Sequence, residues 1–269
     1  MRVLAWPVAN RASGWNFEWL GIPVLVKPEH FLIAALFGFI HHRFEVISVL
    51  LYVPIVFTGV LVHEMGHALA GRRYGERPFI ELNGWGGLTH WLQGREFSRG
   101  RSIFVSFAGP LVGIVIGSIV LAVNMLLPPE TPALVRVTLG DIAFVNLGWA
   151  IFNLMPIYPL DGGKIVRDAF GHFVGSRGNA WSHASSVGVG VLLIVLALLA
   201  NQIFALIMIG QLVFMNWQQL QQSGPLFKKK TKSAPEKASS PRAQTNKAHG
   251  FRVIDGGRKD EDEKPKYLN

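Results

Sequence analysis

Long apolar runs alternate along this chain with short, arginine-rich polar breaks, and that rhythm sets the elements it predicts. The stretch up to Lys27 is polar and aromatic by turns, and Leu20 to Val26 predicts a short strand feeding a membrane. Phe31 to Ile40 is apolar over only about half of the roughly 20 residues that a spanning helix needs. His41, His42 and Arg43 end it as a turn at a membrane face; adjacent histidines sit in water more often than they bind metal. Val46 to about Gly71 predicts a spanning helix kinked at Pro54. Phe79 to Leu82 and Leu88 to Leu92 flank Asn83-Gly-Trp-Gly-Gly87 and predict a hairpin. Ile103 to Leu127 is the clearest span, and its Gly109, Gly113 and Gly117 form a small-residue stripe assigned to helix packing alone. A turn at Pro128, Pro129 and Pro132 leads to a further apolar segment, Val135 to Ile157. Val187 to Leu220, interrupted at Asn201-Gln202, predicts two more spans, with Trp217 as an interfacial anchor.

The expected fold is therefore an all-α polytopic membrane protein of about six transmembrane helices, with a small membrane-associated β-hairpin between the second and third. Residues 1–27 form an interfacial segment, 28–222 the membrane domain and 223–269 a disordered basic tail, too poor in apolar residues to build a core.

Composition agrees. At 50% hydrophobic and 16% charged residues, with mean hydropathy +0.32, the chain is too apolar for an ordinary soluble domain. Zero cysteines exclude disulfides and thiolate metal ligands. The net charge of +9 does not point to nucleic acid, because the tail from Pro225, with 12 Lys/Arg against 6 Asp/Glu, supplies six of those charges. Lys228 to Lys230, next to the last helix, suit anionic lipid. Met1 to Trp15 has no apolar core, so no cleavable signal peptide is expected. The loops Arg72 to Arg101 and Lys164 to Arg177 and the tail are rich in Lys/Arg, whereas Pro128 to Arg136 is nearly free of them, which predicts the former as cytoplasmic.

The candidate chemistry sits at helix ends. In Leu61-Val-His-Glu-Met-Gly-His-Ala-Leu69, His63 and His67 lie four residues apart, so their imidazoles leave one helix face and can share a zinc ion. Glu64 lies beside that ion, where a carboxylate can take a proton from bound water. Asp161, after Pro156 and Pro159 and before Gly162-Gly163, ends another apolar segment at matching depth and is the expected third ligand; taken alone it would be a solvated helix-end aspartate. His90 is a weaker ligand candidate, placed by alternation at a surface.

These two motifs, in this order, together with Phe107-Ala-Gly-Pro110 and the glycine-rich hairpin, resemble the site-2 protease family of intramembrane zinc metalloproteases. The resemblance runs from about Leu20 to Gly163 and is most similar to the compact bacterial branch without PDZ or CBS domains. It implies one Zn2+ per chain on His63, His67 and Asp161, with Glu64 as catalytic base. It also implies Asn153 holding the substrate backbone or oxyanion, and Asn146, Gly86 and Gly87 join it as substrate-binding candidates. Gly113 departs from the pattern, since many relatives carry Asn there. The implied location is a bacterial inner membrane with the site near the cytoplasmic face. The implied partner is a single-span substrate such as an anti-sigma factor, a membrane-tethered transcription factor precursor or a signal-peptide remnant. A catalytically inactive, metal-stabilised membrane scaffold is the alternative; a metal transporter would need polar groups at several depths, which Ile103 to Leu127 lacks.

Overall fold

A computed structural model describes residues 14–94, 97–200 and 202–223. The tail assignment to 223–269 lies almost wholly outside them. The described residues belong to one compact unit. Strands β1 (Trp15–Trp19) and β2 (Ile22–Val26) lead to helix α1 (Pro28–His41) and the 28-residue helix α2 (Val46–Arg73). Strands β3 (Pro78–Asn83) and β4 (Gly86–Trp91) follow, then helices α3 (Arg99–Leu126), α4 (Ala133–Asn153), α5 (Asp161–Val174), α6 (Gly178–Leu199) and α7 (Ile203–Gln222).

Among the described residues, α2, α3, α4 and α6 are long and apolar enough to cross a membrane. The protein is an integral membrane protein. α1, at 14 residues, is short for a span, as its apolar run implied. Pro54 lies inside α2 without ending it. Of the stretch Lys164 to Arg177, read from sequence as a basic loop, the part up to Val174 is instead helical, within α5.

The predicted hairpin is half of a four-stranded sheet ordered β1-β2-β3-β4. β1 and β2 pair antiparallel, β2 and β3 parallel, and β3 and β4 antiparallel with Ile80 opposite Thr89. β2 is apolar on both faces and almost wholly buried. Its Ile22, Val24 and Val26 join Ile80 and Leu82 of β3 against Val60, Leu61, Met65 and Ala68 of α2. That contact fixes the sheet directly over the half of α2 that carries the histidine motif. β4, like β1, is an outer strand of the sheet, with one edge unpaired among the described residues.

On its other side α2 meets α3. A Cβ at Gly66 would lie 2.7 Å from the carbonyl oxygen of Ala108, closer than real atoms approach, so this glycine permits the helices' near contact. Gly113 and Gly117 do the same between α3 and α4, against the Asn146 carbonyl and Leu147. Glycine at 113 is thus a packing position here, where a larger side chain would push α4 away.

Candidate metal centre

α2 presents His63 and His67 from one face, as four-residue spacing requires, and both are buried. Asp161, at the first turn of α5, meets them: Oδ2 lies 3.2 Å from His63 Nε2 and 3.0 Å from His67 Nε2, and the two nitrogens are 3.2 Å apart. His67 Nδ1 lies 2.7 Å from the Val105 carbonyl on α3. A carbonyl only accepts, so Nδ1 carries the proton and a neutral His67 directs a lone pair from Nε2 at the other two atoms. Three electron-rich atoms therefore converge in a buried space, an arrangement that a cation relieves. Tetrahedral ligation at about 2.0–2.1 Å separates donor atoms by roughly 3.3 Å, close to the spacings found, so the residues fit Zn2+. The bond to Val105 also fixes the orientation of the His67 ring, as outer partners of metal ligands commonly do. Room for that ring comes from Gly109, where a Cβ would fall 2.3 Å from His67 Nε2. The glycine stripe on α3, assigned from sequence to packing alone, serves the site at this one position.

The loop between α4 and α5 delivers Asp161. It folds so tightly over the first turn of α5 that a Cβ on Gly162 would lie 2.1 Å from the Leu154 carbonyl, and one on Gly163 2.3 Å from the Tyr158 nitrogen. The two glycines do not break the helix; they let the chain cross its own start. Behind the loop, Ser186 of α6 accepts from the Tyr158 N–H at 3.0 Å, and buried Asn216 of α7 donates to the Tyr158 carbonyl. Asn216 Oδ1 accepts from His183 Nδ1 at 2.8 Å. Asn216→Ala would leave the Tyr158 carbonyl and His183 without these partners, at about 1–3 kcal/mol per unsatisfied group. Thermal unfolding of the detergent-solubilised variant is expected to show a clearly lowered midpoint. Lys164, one turn into α5, places Nζ 3.0 Å from Asp161 Oδ1, the oxygen turned away from the histidines.

Glu64 lies next to His63 and is 5% exposed. The Thr89 hydroxyl donates to its Oε2 at 2.7 Å, and a Cβ on Gly87 would meet its Cγ at 2.3 Å. Gly87 and Thr89 share one face of β4, since strand side chains alternate. That face holds the carboxylate. A cavity of about 860 Å³ opens here, lined among others by Glu64, His67, Gly87, Thr89, Asn153 and Asp161. Asn153 reaches it with one amide hydrogen already given to the Trp149 carbonyl at 2.9 Å.

Three sequence candidates fall elsewhere. Asn146 donates to the Ile142 carbonyl at 2.8 Å and packs by Gly59 of α2, seven residues and about 10 Å up the helix from Asn153, outside the cavity lining. It lies at the contact between α4 and α2. Gly86 faces away from Glu64; its φ of +122° and the Trp149 ring, 2.5 Å from where a Cβ would stand, explain the glycine as a turn and packing residue. His90 stacks on Phe79 and lies 3.7 Å from Glu81, apart from the metal ligands. Thr89, Lys164, Ser186 and Asn216 were missed from sequence. For Thr89 a signal existed in the two-residue alternation with Gly87.

Comparison with known proteins gives this geometry a context. The model of peptidase family M50 matches residues 130–197. A protein of Synechocystis sp. named as a zinc metalloprotease is 30% identical over 218 residues, spanning 76% of this chain and 57% of its own length. Both matches point to similarity with peptidase family M50. Another relative, Rip3 of Mycobacterium tuberculosis, also named as a zinc metalloprotease, is 32% identical over 168 residues, 61% of this chain and 42% of that protein. The chain thus spans about half the length of the curated relatives it matches. In fold, the chain is similar to the site-2 protease from Methanocaldococcus jannaschii, with TM-score 0.56 and 22% identity over 77% of this chain and 95% of that one.

Proposed function

We propose that this protein is an intramembrane zinc metalloprotease that hydrolyses a peptide bond within or near the transmembrane segment of a membrane-protein substrate. The observation that carries the reading is the Glu64 carboxylate, buried beside three converging metal ligands and held by Thr89 at 2.7 Å. A site serving only stability has no use for a fixed carboxylate there, which weighs against the inactive scaffold.

Bound Zn2+ supplies Lewis acidity, lowering the pKa of a water and polarising the scissile carbonyl. Glu64 takes the proton of the attacking water and returns it to the leaving amine. The Thr89 hydroxyl orients the carboxylate for both transfers. Asn153, in the cavity wall, has an amide group to hold the substrate backbone. A transmembrane substrate hides its peptide bonds in a helix, so it must unwind locally, and the free edge of β4 offers backbone partners to the extended segment. The basic loops support a site near the cytoplasmic face of a bacterial inner membrane, and the proposed substrate class is single-span proteins such as anti-sigma factors, tethered transcription factor precursors or signal-peptide remnants. Direct nucleic-acid binding is not part of this reading.

Co-expression with a panel of tagged single-span proteins of these types tests it. A product formed by wild type and absent with Glu64→Gln supports the reading; none across the panel, with Zn2+ bound to the purified protein, favours the scaffold. Thr89→Val keeps shape and removes one hydrogen bond to a charged group, so turnover is expected to fall about 10- to 100-fold. Bound zinc should be unchanged in that variant.

A further inference from the structure

We infer that His41, His42 and Asp141 form a second metal site, separate from the centre on α2 and α5. His41 is the last residue of α1, His42 caps that helix, and Asp141 lies in the third turn of α4. The donor atoms of all three lie within 4.8 Å of one another. His42 Nε2 is 3.0 Å from Asp141 Oδ2, and His41 Nε2 is 3.4 Å from Oδ1.

Asp141 is 4% exposed, in a helix apolar enough to span the membrane, where an ionisable group is costly unless it serves a purpose. Its Oδ2 and the Nε2 of His42 are both buried and 3.0 Å apart. With His41 Nε2 facing the other carboxylate oxygen, these donor atoms are spaced as ligands of a common ion are spaced. The surroundings hold the rings in position: His41 stacks between Tyr52 of α2 and Phe144 of α4, with centroids 5.4 and 5.0 Å away, and His42 meets Tyr52 edge-on at 5.5 Å. The His41 side chain is 40% exposed, which gives an ion a path in and water a place in its coordination.

Two imidazoles and one carboxylate suit a first-row divalent ion such as Zn2+ and not Mg2+ or Ca2+, which take oxygen ligands. Tyr52 stands eleven residues before His63, about 16 Å along α2, so one ion cannot serve both groups. An ion here ties the end of α1 to α4 across the start of α2. Its role is a staple between helices, independent of any chemistry at Glu64.

The test uses the purified full-length His63→Ala/His67→Ala variant in detergent, which removes the other centre whether or not that centre is catalytic. The chelator-treated protein is titrated with Zn2+ alone and its metal measured by mass spectrometry; Co2+ replaces Zn2+ for visible absorption. One equivalent of Zn2+ is expected to remain bound, and adding Asp141→Asn should remove it. His41→Ala, at a partly exposed position, should weaken Zn2+ by about 10- to 100-fold and alter the Co2+ spectrum while helicity is retained. A metal-free His63→Ala/His67→Ala protein with native helicity would overturn the proposal, as would binding indifferent to both Asp141→Asn and His41→Ala.

Discussion

Glu64→Gln is expected to reduce proteolytic turnover by about 10³-fold or more while leaving bound zinc at the wild-type level. The magnitude follows from general-base catalysis, which contributes roughly 10²–10⁴-fold, and from the absence of another carboxylate able to take over. Among the described residues lining the cavity, the other carboxylates are Asp161, which is directed at the histidines, and Asp168. Glutamine fills the same space against Gly87 and can still accept from Thr89 through its amide oxygen, so fold and ligands are undisturbed. The measurement is single-turnover cleavage of a purified substrate, paired with zinc content. Loss of zinc along with activity would assign Glu64 to the metal ligands and remove the base from the mechanism.

Asp161→Ala should act differently. It withdraws a donor from the converging atoms, leaving His63 and His67 to hold the ion alone. Outer partners of metal ligands change affinity by about 10- to 100-fold, and loss of a ligand should weaken Zn2+ by at least that much. Activity should vanish with the metal. Lys164 loses its carboxylate partner as well, but the loop that carries Asp161 is held separately by Ser186 and Asn216. Helix content should therefore survive in Asp161→Ala, and a zinc titration followed by circular dichroism separates loss of metal from loss of fold.

The contrast between these variants matches what was legible in the sequence. His63, Glu64 and His67 could be read because helical spacing is fixed, so residue numbers alone put the imidazoles on one face. Asp161 could be matched to them by depth, from where the apolar segments end. Side-chain register across elements was not available in that way. Asn146 and Asn153 are seven residues apart, nearly two full turns, and so share a helix face; only the packing of α4 on Gly59 shows that one is near the cavity and the other is not. Gly86 and Gly87 are neighbours on opposite faces of β4, and the β3 pairing decides which one meets Glu64.

Local signals also competed. The prolines and glycines around Asp161 read as helix breakers, yet Gly162 and Gly163 start α5, because the loop passes where any Cβ would stand. β1 shows apolar alternation at Trp15, Phe17 and Trp19, but all five of its residues remain exposed, so no buried face announces the strand. Asn216 lies in a helix whose sequence reads as a membrane span. Its role depends on a carbonyl 58 residues away, a relation no local pattern encodes.

The most direct test of the central claim is cleavage of a purified single-span substrate in detergent or liposomes containing H₂¹⁸O, with both products mapped by mass spectrometry. The account predicts a new carboxyl terminus within or at the edge of the substrate's membrane span, carrying one ¹⁸O from solvent, with wild type and not with Glu64→Gln. Equal amounts of that product from both proteins, each with zinc bound, would contradict it.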